Sequence, residues 1–433
     1  MTHVSDCQLP IVTTSIVTTA IITAPIPGKA NPNKNVVMSR ETENKPTTFK
    51  ITTFNLCNYV APPNACYQFD NIYTDEQWQK KQRWIRNYLH THQPDVIGFQ
   101  EVFTPDALAT LTRELGYIYF CTVEAPNCTE EYIYDKPVVA LASRYPIIEW
   151  SAVPTNSQTS LHLGLKRDFA FTRLPLRATV VHPVLGACDI YVVHLKSKRP
   201  TIFSGLENEP EIEDESMLFQ TGDVLPEWQQ QLTGQWTSSL QRTAEAAQLQ
   251  QAVLARKKET SNPAVIMGDF NDTLTDSALG QLVSNEVRLP ATPQLREKQL
   301  KEKPAREKLA PYFFYNSWSL FQASRDVSEQ LAATEQLAAT EQRVASEPMG
   351  TSKQKGSDEV ANSRQPFTFY YGLKGMVLDY ILCSAEFNPS YTESLAEVTN
   401  FKVFDRHLLN PSFDTDGQST DHAVVMITIQ IRE

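Results

Sequence analysis

The sequence predicts an α/β fold in which two mixed β-sheets pack face to face and helices cover their outer faces. Two observations support this prediction. Short apolar runs outnumber helical patterns along the 433 residues, and helical patterns fall between some of the strand pairs. The hydrophobic fraction of 41% and the charged fraction of 21% are those of an ordinary soluble globular protein. One large sandwich with insertions accommodates a chain of this length.

Strands are predicted where apolar residues alternate or run together over a few residues. The first, Phe49–Leu56, alternates, whereas the run at 263–267 is continuous and ends at Gly268. The other predicted strands are 95–100, 138–142, 169–174, 178–182, 189–195, 367–371, 377–383 and 423–431.

Three helices are predicted between these strands. Residues 77–89 repeat apolar residues at helical spacing, and Thr104 before Pro105 has the pattern of an N-cap followed by the first helical residue. Residues 236–258 form the longest helix. Its packed face is expected to contain the residues that share one side, which are Leu240, Ala244, Ala247 and Leu254.

Three segments depart from this pattern. Residues 1–46 are predicted to be a disordered leader, since 31–45 is polar; residues 11–27 lack the basic start of an export signal. Surface insertions are expected at about 200–235, which holds an acidic loop, and at 324–363, which holds two copies of Leu-Ala-Ala-Thr-Glu-Gln. Residues 47–433 then form a single domain.

Charge and cysteine content restrict the class of protein. The net charge of −11 differs from the basic surface usual in proteins that hold duplex nucleic acid mainly through phosphates. No apolar run is long enough to predict a membrane span. Seven cysteines without a Cys-x-x-Cys pair exclude zinc-site spacing and slightly favour a reduced, cytoplasmic location over secretion. A Cys57–Cys66 or Cys121–Cys128 bridge stays open.

The most informative segment is Ile266–Asp272. Asp269 and Asn271 follow the apolar run two residues apart, so in extended backbone they point to the same side. An acid and an amide offered together suit a hard divalent cation and an activated water at phosphorus. An Asx-rich turn after a strand would have the same sequence.

Other polar residues also stand at the ends of predicted strands. Each alone has a bland explanation as a turn residue, a solvated acid or a buried histidine. Together they indicate a site, because enzymes build sites at the rims of core strands. They are Asn55, Gln100, Glu101, His194, Asp379, Thr420, Asp421 and His422.

In this order the residues resemble the endonuclease/exonuclease/phosphatase superfamily, whose members are metal-dependent phosphoesterases. The resemblance covers about residues 49–433. It implies a four-layer α/β sandwich of two mixed β-sheets flanked by helices, forming one phosphoesterase domain over 47–433. The matching elements are Asn55, Gln100-Glu101, His194, Gly268-Asp269-Phe270-Asn271, Asp379 and Asp421-His422.

The resemblance implies a Mg²⁺ site, with Mn²⁺ as a substitute. Glu101 is expected to be the main metal ligand with Asn55 beside it, and Asp421 a second metal-site or orienting acid. Asp269 is expected to orient or deprotonate the attacking water, and Asn271 to steady the phosphate. Cys57 stands where some members have an acid, and a soft thiolate suits Mg²⁺ poorly.

Two histidines complete the implied site. His422 is expected to contact the phosphoryl oxygens, and Asp379 to pair with it. His194 resembles an extra histidine of the deoxyribonuclease and sphingomyelinase branches.

Three cations follow His194 directly, namely Lys196, Lys198 and Arg199. They are either solvated charges or substrate-binding groups that position phosphates, and the sequence favours neither. The aromatic group 312–315 with Trp318 is expected to be core packing rather than a base-stacking surface.

The sequence thus predicts a Mg²⁺-dependent phosphodiesterase, most nearly a nuclease, acting on a phosphodiester substrate such as nucleic acid. The alternatives are a small-molecule or lipid phosphoesterase, of the sphingomyelinase or inositol-phosphatase kind, and an inactive binding module. The acidic net charge favours a small-molecule or lipid phosphoesterase. The presence of Glu101, Asp269 and His422 disfavours an inactive binding module.

Overall fold

Two six-stranded mixed sheets form the centre of the fold. The structure is a computed structural model that describes residues 47–202, 225–275, 277–287, 305–326 and 364–432. The predicted leader and most of both predicted insertions lie outside these residues.

The described strands are β1 (Thr48–Tyr59), β2 (Ala65–Cys66), β3 (Val96–Val102), β4 (Tyr119–Cys121), β5 (Asn127–Glu130), β6 (Ile133–Lys136), β7 (Val138–Ser143), β8 (Ile147–Ala152), β9 (Leu176–His182), β10 (Gly186–His194), β11 (Ala264–Asp269), β12 (Phe314–Asn316), β13 (Phe369–Tyr371), β14 (Lys374–Met376), β15 (Asp379–Ser384), β16 (Ala396–Phe404) and β17 (Val424–Ile431). The described helices are α1 (Asp75–His92), α2 (Pro105–Glu114), α3 (Ser157–His162), α4 (Leu225–Thr260), the short turns Ala305–Leu309, Arg406–Leu409 and Phe413–Asp416, and residues 317–326.

The two large sheets have a similar plan. The first has the strand order β16-β17-β1-β3-β7-β4 and the second β12-β15-β11-β10-β9-β8. Each has one parallel pair at its centre, β1 with β3 and β10 with β11, and its other pairs are antiparallel. The carboxyl ends of two neighbouring strands therefore lie together in each sheet.

Three apolar layers hold the sandwich together. Between the sheets, a buried cluster includes Ile51, Val192 and Ile427. Helices α1 and α2 cover the outer face of the first sheet, and α4 covers the second, where Leu249 packs with Ile266. The order helix, sheet, sheet, helix confirms the predicted four-layer α/β sandwich.

Local sequence sets the helix starts. Thr74 and Gln77 form a capping box for α1, with Gln77 N donating to Thr74 Oγ1 at 3.2 Å and Thr74 N donating to Gln77 Oε1 at 2.9 Å. At α2, Thr104 holds the N-cap position before Pro105, as predicted, but makes no capping bond. Its hydroxyl instead accepts from the Ala61 N–H at 3.0 Å.

The predicted strand at 169–174 is wrong, because these residues form no strand. Their backbone N–H groups bond to carboxylates instead of to a neighbouring strand. Thr172 N donates to Glu245 Oε1 and Leu174 N donates to Glu124 Oε1, both at 2.7 Å. Tertiary partners of this kind give no periodic signal in sequence.

Helix α4 is longer than predicted, and its packed face agrees with the prediction only in part: Ala244 is buried, and Ala247 and Leu254 are half-buried. Leu240, placed on the packed side by the sequence, is 65% exposed. The buried side instead combines apolar residues with charged ones that have partners inside the protein. Its members include Ser238, Arg242, Glu245, Leu249, Val253 and Lys257.

Three smaller expectations are settled by the structure. The six described cysteines are free, so neither suggested bridge forms. Phe314 is buried and Trp318 packs on Phe401, which confirms the aromatic group as core. Within the described ranges, no helix combines the length and apolarity needed to cross a membrane.

The core burial predicts the effect of a single truncation. Leu382 in β15 is fully buried, whereas Leu373, between β13 and β14, is fully exposed. We expect Leu382→Ala to lower the free energy of unfolding by about 2–5 kcal/mol, and Leu373→Ala to change it by less than about 0.5 kcal/mol. Urea unfolding followed by circular dichroism measures both, and equal values would contradict the assigned core.

Candidate active site

Polar side chains from both sheets meet at one edge of the sandwich. His194 ends β10 and is the register partner of Asp269 at the end of β11, which in turn is the partner of Asp379 at the start of β15. In the other sheet, Asn55 is the partner of Gln100. Because the central strands are parallel, their carboxyl ends deliver these residues to the same place.

Asp269 is the centre of the arrangement. It is 1% exposed, and its Oδ1 accepts from the Asn271 backbone N–H at 2.8 Å. Its Oδ2 accepts from the side-chain amides of Asn55 and Asn271, each at 3.2 Å. The Nε2 atoms of His194 and His422 lie 3.5 Å and 3.9 Å from the same oxygen. Four nitrogens thus surround one carboxylate oxygen.

Backbone geometry at Gly268 places this carboxylate. Gly268 has φ of +150°, and a Cβ there would lie 1.9 Å from the Val193 carbonyl oxygen. Only glycine lets β11 approach β10 so closely at this point. Asn271 follows in the left-handed region, and its amide also donates to Leu195 O at 3.0 Å. In this geometry Asn271 orients Asp269.

His422 is held by a second carboxylate. Its Nδ1 lies 2.8 Å from Asp379 Oδ2, and both residues are buried. The Thr420 hydroxyl accepts from the His422 N–H at 3.2 Å and donates to Asn55 O at 2.7 Å. The threonine at this position therefore ties the last motif to β1.

The carboxylates set the charge of His422. Burial alone would lower its pKa, but Asp379 and Asp269 outweigh burial and hold the pKa well above its ordinary value. Burial raises the pKa of Asp269 to about 7, against the opposing effect of His422. The centre therefore pairs an imidazolium with two acids.

His194 has the opposite character. Burial lowers its pKa well below the ordinary value, and the cations Arg173 and His422 lower it further. The ring is neutral, and its Nδ1 has no hydrogen-bond partner in the part of the chain that the structure describes. His194 therefore borders Asp269 without adding charge.

Glu101 lies across from Asp269, in strained backbone. It has φ of 60°, and Cys57 and Asn58 opposite it in β1 also have positive φ, where both ladders shift register. These turns aim the Asn58 N–H at Glu101 Oε2, 2.9 Å away. Such conformations cluster where function requires a fixed geometry.

Two groups at this edge have donors for a cation. Glu101 and Asn55 offer carboxylate and amide oxygens, the donor set that hard divalent ions take. Asp269, Asp379 and His422 also have ligand atoms within 4.8 Å of one another. In the second group, Nδ1 of His422 is engaged by Asp379 at 2.8 Å. In the first group, the Asn55 amide oxygen also accepts from the Cys57 N–H at 3.0 Å.

Asp421 has an exposed side chain on the same side as Glu101, since both charges act on the Cys57 thiol and on Lys81. Its role as a second metal-site or orienting acid stays a prediction. Burial, then Asp421, raises the pKa of Cys57 to about 12, so this thiol is no thiolate ligand. Lys81 is buried and donates to Ser419 O at 3.3 Å, next to the last motif.

The predicted basic residues differ in their partners. Lys198 is paired with Asp272 at 2.8 Å, and Asp272 also binds Arg242 at 2.9 Å. Arg199 is exposed, and Lys196 Nζ is 3.5 Å from the Arg199 carbonyl. Lys198 is therefore the weakest of the three candidates for holding a phosphate.

Sequence reasoning missed Arg173. Its charge lowers the pKa of both His194 and Lys196, which places it beside the site. Its Nε is buried and has no partner among the described residues. A lone arginine inside a segment taken for a strand carried no signal.

Comparisons with known proteins identify the family of the chain. The model of the Endonuclease/Exonuclease/phosphatase family matches residues 53–422. No curated protein matches the sequence significantly.

Several solved structures are similar at low identity. The human Nocturnin catalytic domain with bound sulfate anion is 14% identical, with a TM-score of 0.46, over 89% of this chain and 95% of that chain. D. rerio TDP2 complexed with single strand DNA product is 12% identical, with a TM-score of 0.41, over 88% and 98%. An AP endonuclease from Archaeoglobus fulgidus is 12% identical, with a TM-score of 0.39, over 88% and 98%.

The matched region begins in β1 and ends at His422, so it contains both central strand pairs and every strand end of the site. The chain belongs to the endonuclease/exonuclease/phosphatase family.

Proposed function

We propose that the protein is a divalent-metal-dependent phosphodiesterase, with Mg²⁺ as the natural ion and Mn²⁺ as a substitute. One observation supports the proposal above all others. The buried carboxylate of Asp269 lies between a charged imidazole, 3.9 Å away, and the amide of Asn55, whose partner in the neighbouring strand is Gln100, the residue before Glu101. Hydrolysis at phosphorus needs a base, a donor to the phosphoryl oxygens and a cation site, and this edge offers all three.

Glu101 and Asn55 would hold the ion, which when bound neutralises charge on a phosphoryl oxygen. Asp269 then orients the attacking water and accepts its proton, because the four surrounding nitrogens fix the position of its Oδ2. Desolvation brings its pKa close to neutrality, which suits a general base.

His422 donates from Nε2 to a phosphoryl oxygen. Asp379 keeps the ring protonated and fixes its orientation through Nδ1. Neutral His194 borders the same oxygen of Asp269 and excludes water from that side.

The proposed substrate-binding edge consists of three cations beside the site, Arg173, Lys196 and Arg199. This edge carries positive charge, whereas the chain as a whole has a net charge of −11. A nuclease-like activity accounts for a cationic edge that follows a phosphate backbone. The overall acidity favours the second candidate, a small-molecule or lipid phosphoesterase.

A substrate panel at fixed Mg²⁺ separates these candidates: duplex DNA, abasic DNA, RNA, sphingomyelin and inositol phosphates. Fastest turnover of a nucleic acid supports the nuclease-like assignment. Turnover of sphingomyelin or inositol phosphates alone supports the small-molecule or lipid phosphoesterase.

Asp269→Asn removes the base while keeping the side-chain shape. We expect turnover of bis-p-nitrophenyl phosphate to fall by at least about 10²-fold. The matched control is Asp189→Asn, since Asp189 is a buried acid on β10 that bonds Thr179 and Arg256, away from His194. Full activity of Asp269→Asn would remove it from the mechanism.

Glu101→Gln tests the cation site. We expect its Mg²⁺ affinity, measured by calorimetry without substrate, to fall at least about tenfold, or about 1.4 kcal/mol. EDTA should silence the wild type, and Mg²⁺ or Mn²⁺ should restore it. Glu397→Gln, on β16 of the same sheet, should bind as the wild type does. Activity indifferent to EDTA would refute metal dependence.

Asp379→Asn tests the charge of His422. Without this carboxylate, burial is opposed mainly by Asp269, so the pKa of His422 should fall and the ring should lose its proton at a lower pH than in the wild type. Imidazole NMR during a pH titration of the metal-free protein measures this shift. An unchanged titration of His422 would contradict the assigned pairing.

A further inference from the structure

One face of α4 carries a polar stripe between residues 234 and 245. Its members recur at helical spacing, and each contacts the segment 196–201 that follows His194. They are Gly234, Ser238, Arg242 and Glu245.

The first two members hold the far end of this segment. Thr201 N donates to Gly234 O at 3.0 Å, and a Cβ at Gly234 would lie 2.4 Å from Thr201 O. Ser238 Oγ donates to Arg199 O at 2.7 Å. Helix and segment are therefore in contact at backbone level, with no room for a larger residue at 234.

Arg242 holds the near end. Its Nη1 donates to the carbonyls of Lys196 and Ser197, at 3.1 Å and 3.3 Å. Its Nε and Nη2 bind Asp272, which follows Asn271 directly. The buried guanidinium of Arg242 therefore links the segment 196–201, the basic segment, to the turn that follows β11.

Glu245 joins residues 169–174 to the segment 196–201 through hydrogen bonds rather than through strand pairing. It is 1% exposed; its Oε1 accepts from Thr172 N and its Oε2 from Lys196 N, both at 2.7 Å. Arg173 follows Thr172, so each oxygen fixes the backbone at a cation of the substrate-binding edge. No other side chain among the described residues bonds both segments through their backbone N–H groups.

We propose that Glu245 is a positioning residue for substrate binding, setting the separation of the Arg173 and Lys196 side chains. This inference rests on the proposed phosphodiesterase function. Two backbone N–H donors require two acceptors, which a carboxylate supplies. A glutamine supplies one acceptor and turns an amide donor toward the other N–H, so one segment is released while the helix keeps its shape.

The test compares Glu245→Gln with a matched control, Glu386→Gln. Glu386 is a second buried acid that contacts α4, bonding Lys257 at 2.6 Å and Ser384 at 2.6 Å, far along the helix from the basic segment. With bis-p-nitrophenyl phosphate, Glu245→Gln should raise KM about tenfold or more and change kcat less than about threefold. Glu386→Gln should lower Tm similarly and leave KM unchanged.

An unchanged KM in Glu245→Gln, or equal KM changes in both variants, would overturn the proposal. Hydrogen exchange of the wild type gives a second measurement that does not depend on a folded variant. The Thr172 and Lys196 amides should be strongly protected, and exchange at the rate of an unstructured chain would also overturn the proposal.

The two proposals fail in different ways. Suppose that the wild type hydrolyses no phosphodiester with any divalent ion, yet protects the Thr172 and Lys196 amides from exchange. This result refutes the enzymatic function but not the hydrogen bonds from both amides to Glu245. An active wild type whose Glu245→Gln variant keeps KM refutes only the positioning role.

Discussion

One buried oxygen, Oδ2 of Asp269, constrains the architecture of the site. Its four neighbouring nitrogens come from β1, the end of β10, the turn after β11 and the segment that precedes β17. The first and last of these elements belong to one sheet or its edge, and the other two belong to the second sheet. The oxygen is therefore surrounded only when the two sheets pack in one register. The apolar cluster between the sheets therefore also fixes the chemistry, because a shift of either sheet would leave a buried carboxylate without partners.

Strain is concentrated at the same edge. Four of the non-glycine residues with positive φ, Cys57, Asn58, Glu101 and Asn271, lie at the site. Each such conformation costs on the order of 1–3 kcal/mol and persists only where the surroundings determine it. Here the rigid central strands supply that restraint. The positive φ values turn Asn58 N toward Glu101 and Asn271 N toward Asp269, so the strain orients both acids.

Sequence could predict those parts of the molecule that depend on short-range pattern. Asn55, Asp269 and Asp379 were predicted from their positions at strand ends, and the four layers were implied by the family resemblance. The prediction failed where a partner distant in sequence determines the local structure. Residues 169–174 have the composition of a strand, yet Glu245 and Glu124 capture their N–H groups. On α4, Glu245 is buried, whereas the apolar Leu240 is 65% exposed.

The charges at the substrate-binding edge show how an acidic chain presents a local positive field. Asp272 is bound by both Lys198 and Arg242, which cancels charge where the basic segment meets the helix. Glu245 accepts from backbone N–H groups rather than from the side chains of Arg173 and Lys196, whose hydrogen bonds go to the carbonyls of Leu195 and Arg199. The chain as a whole carries a net charge of −11. Under the proposed function, attraction between the protein and a phosphate is therefore strongest at this local group of cations, because exposed charges beyond a Debye length of about 10 Å are largely screened.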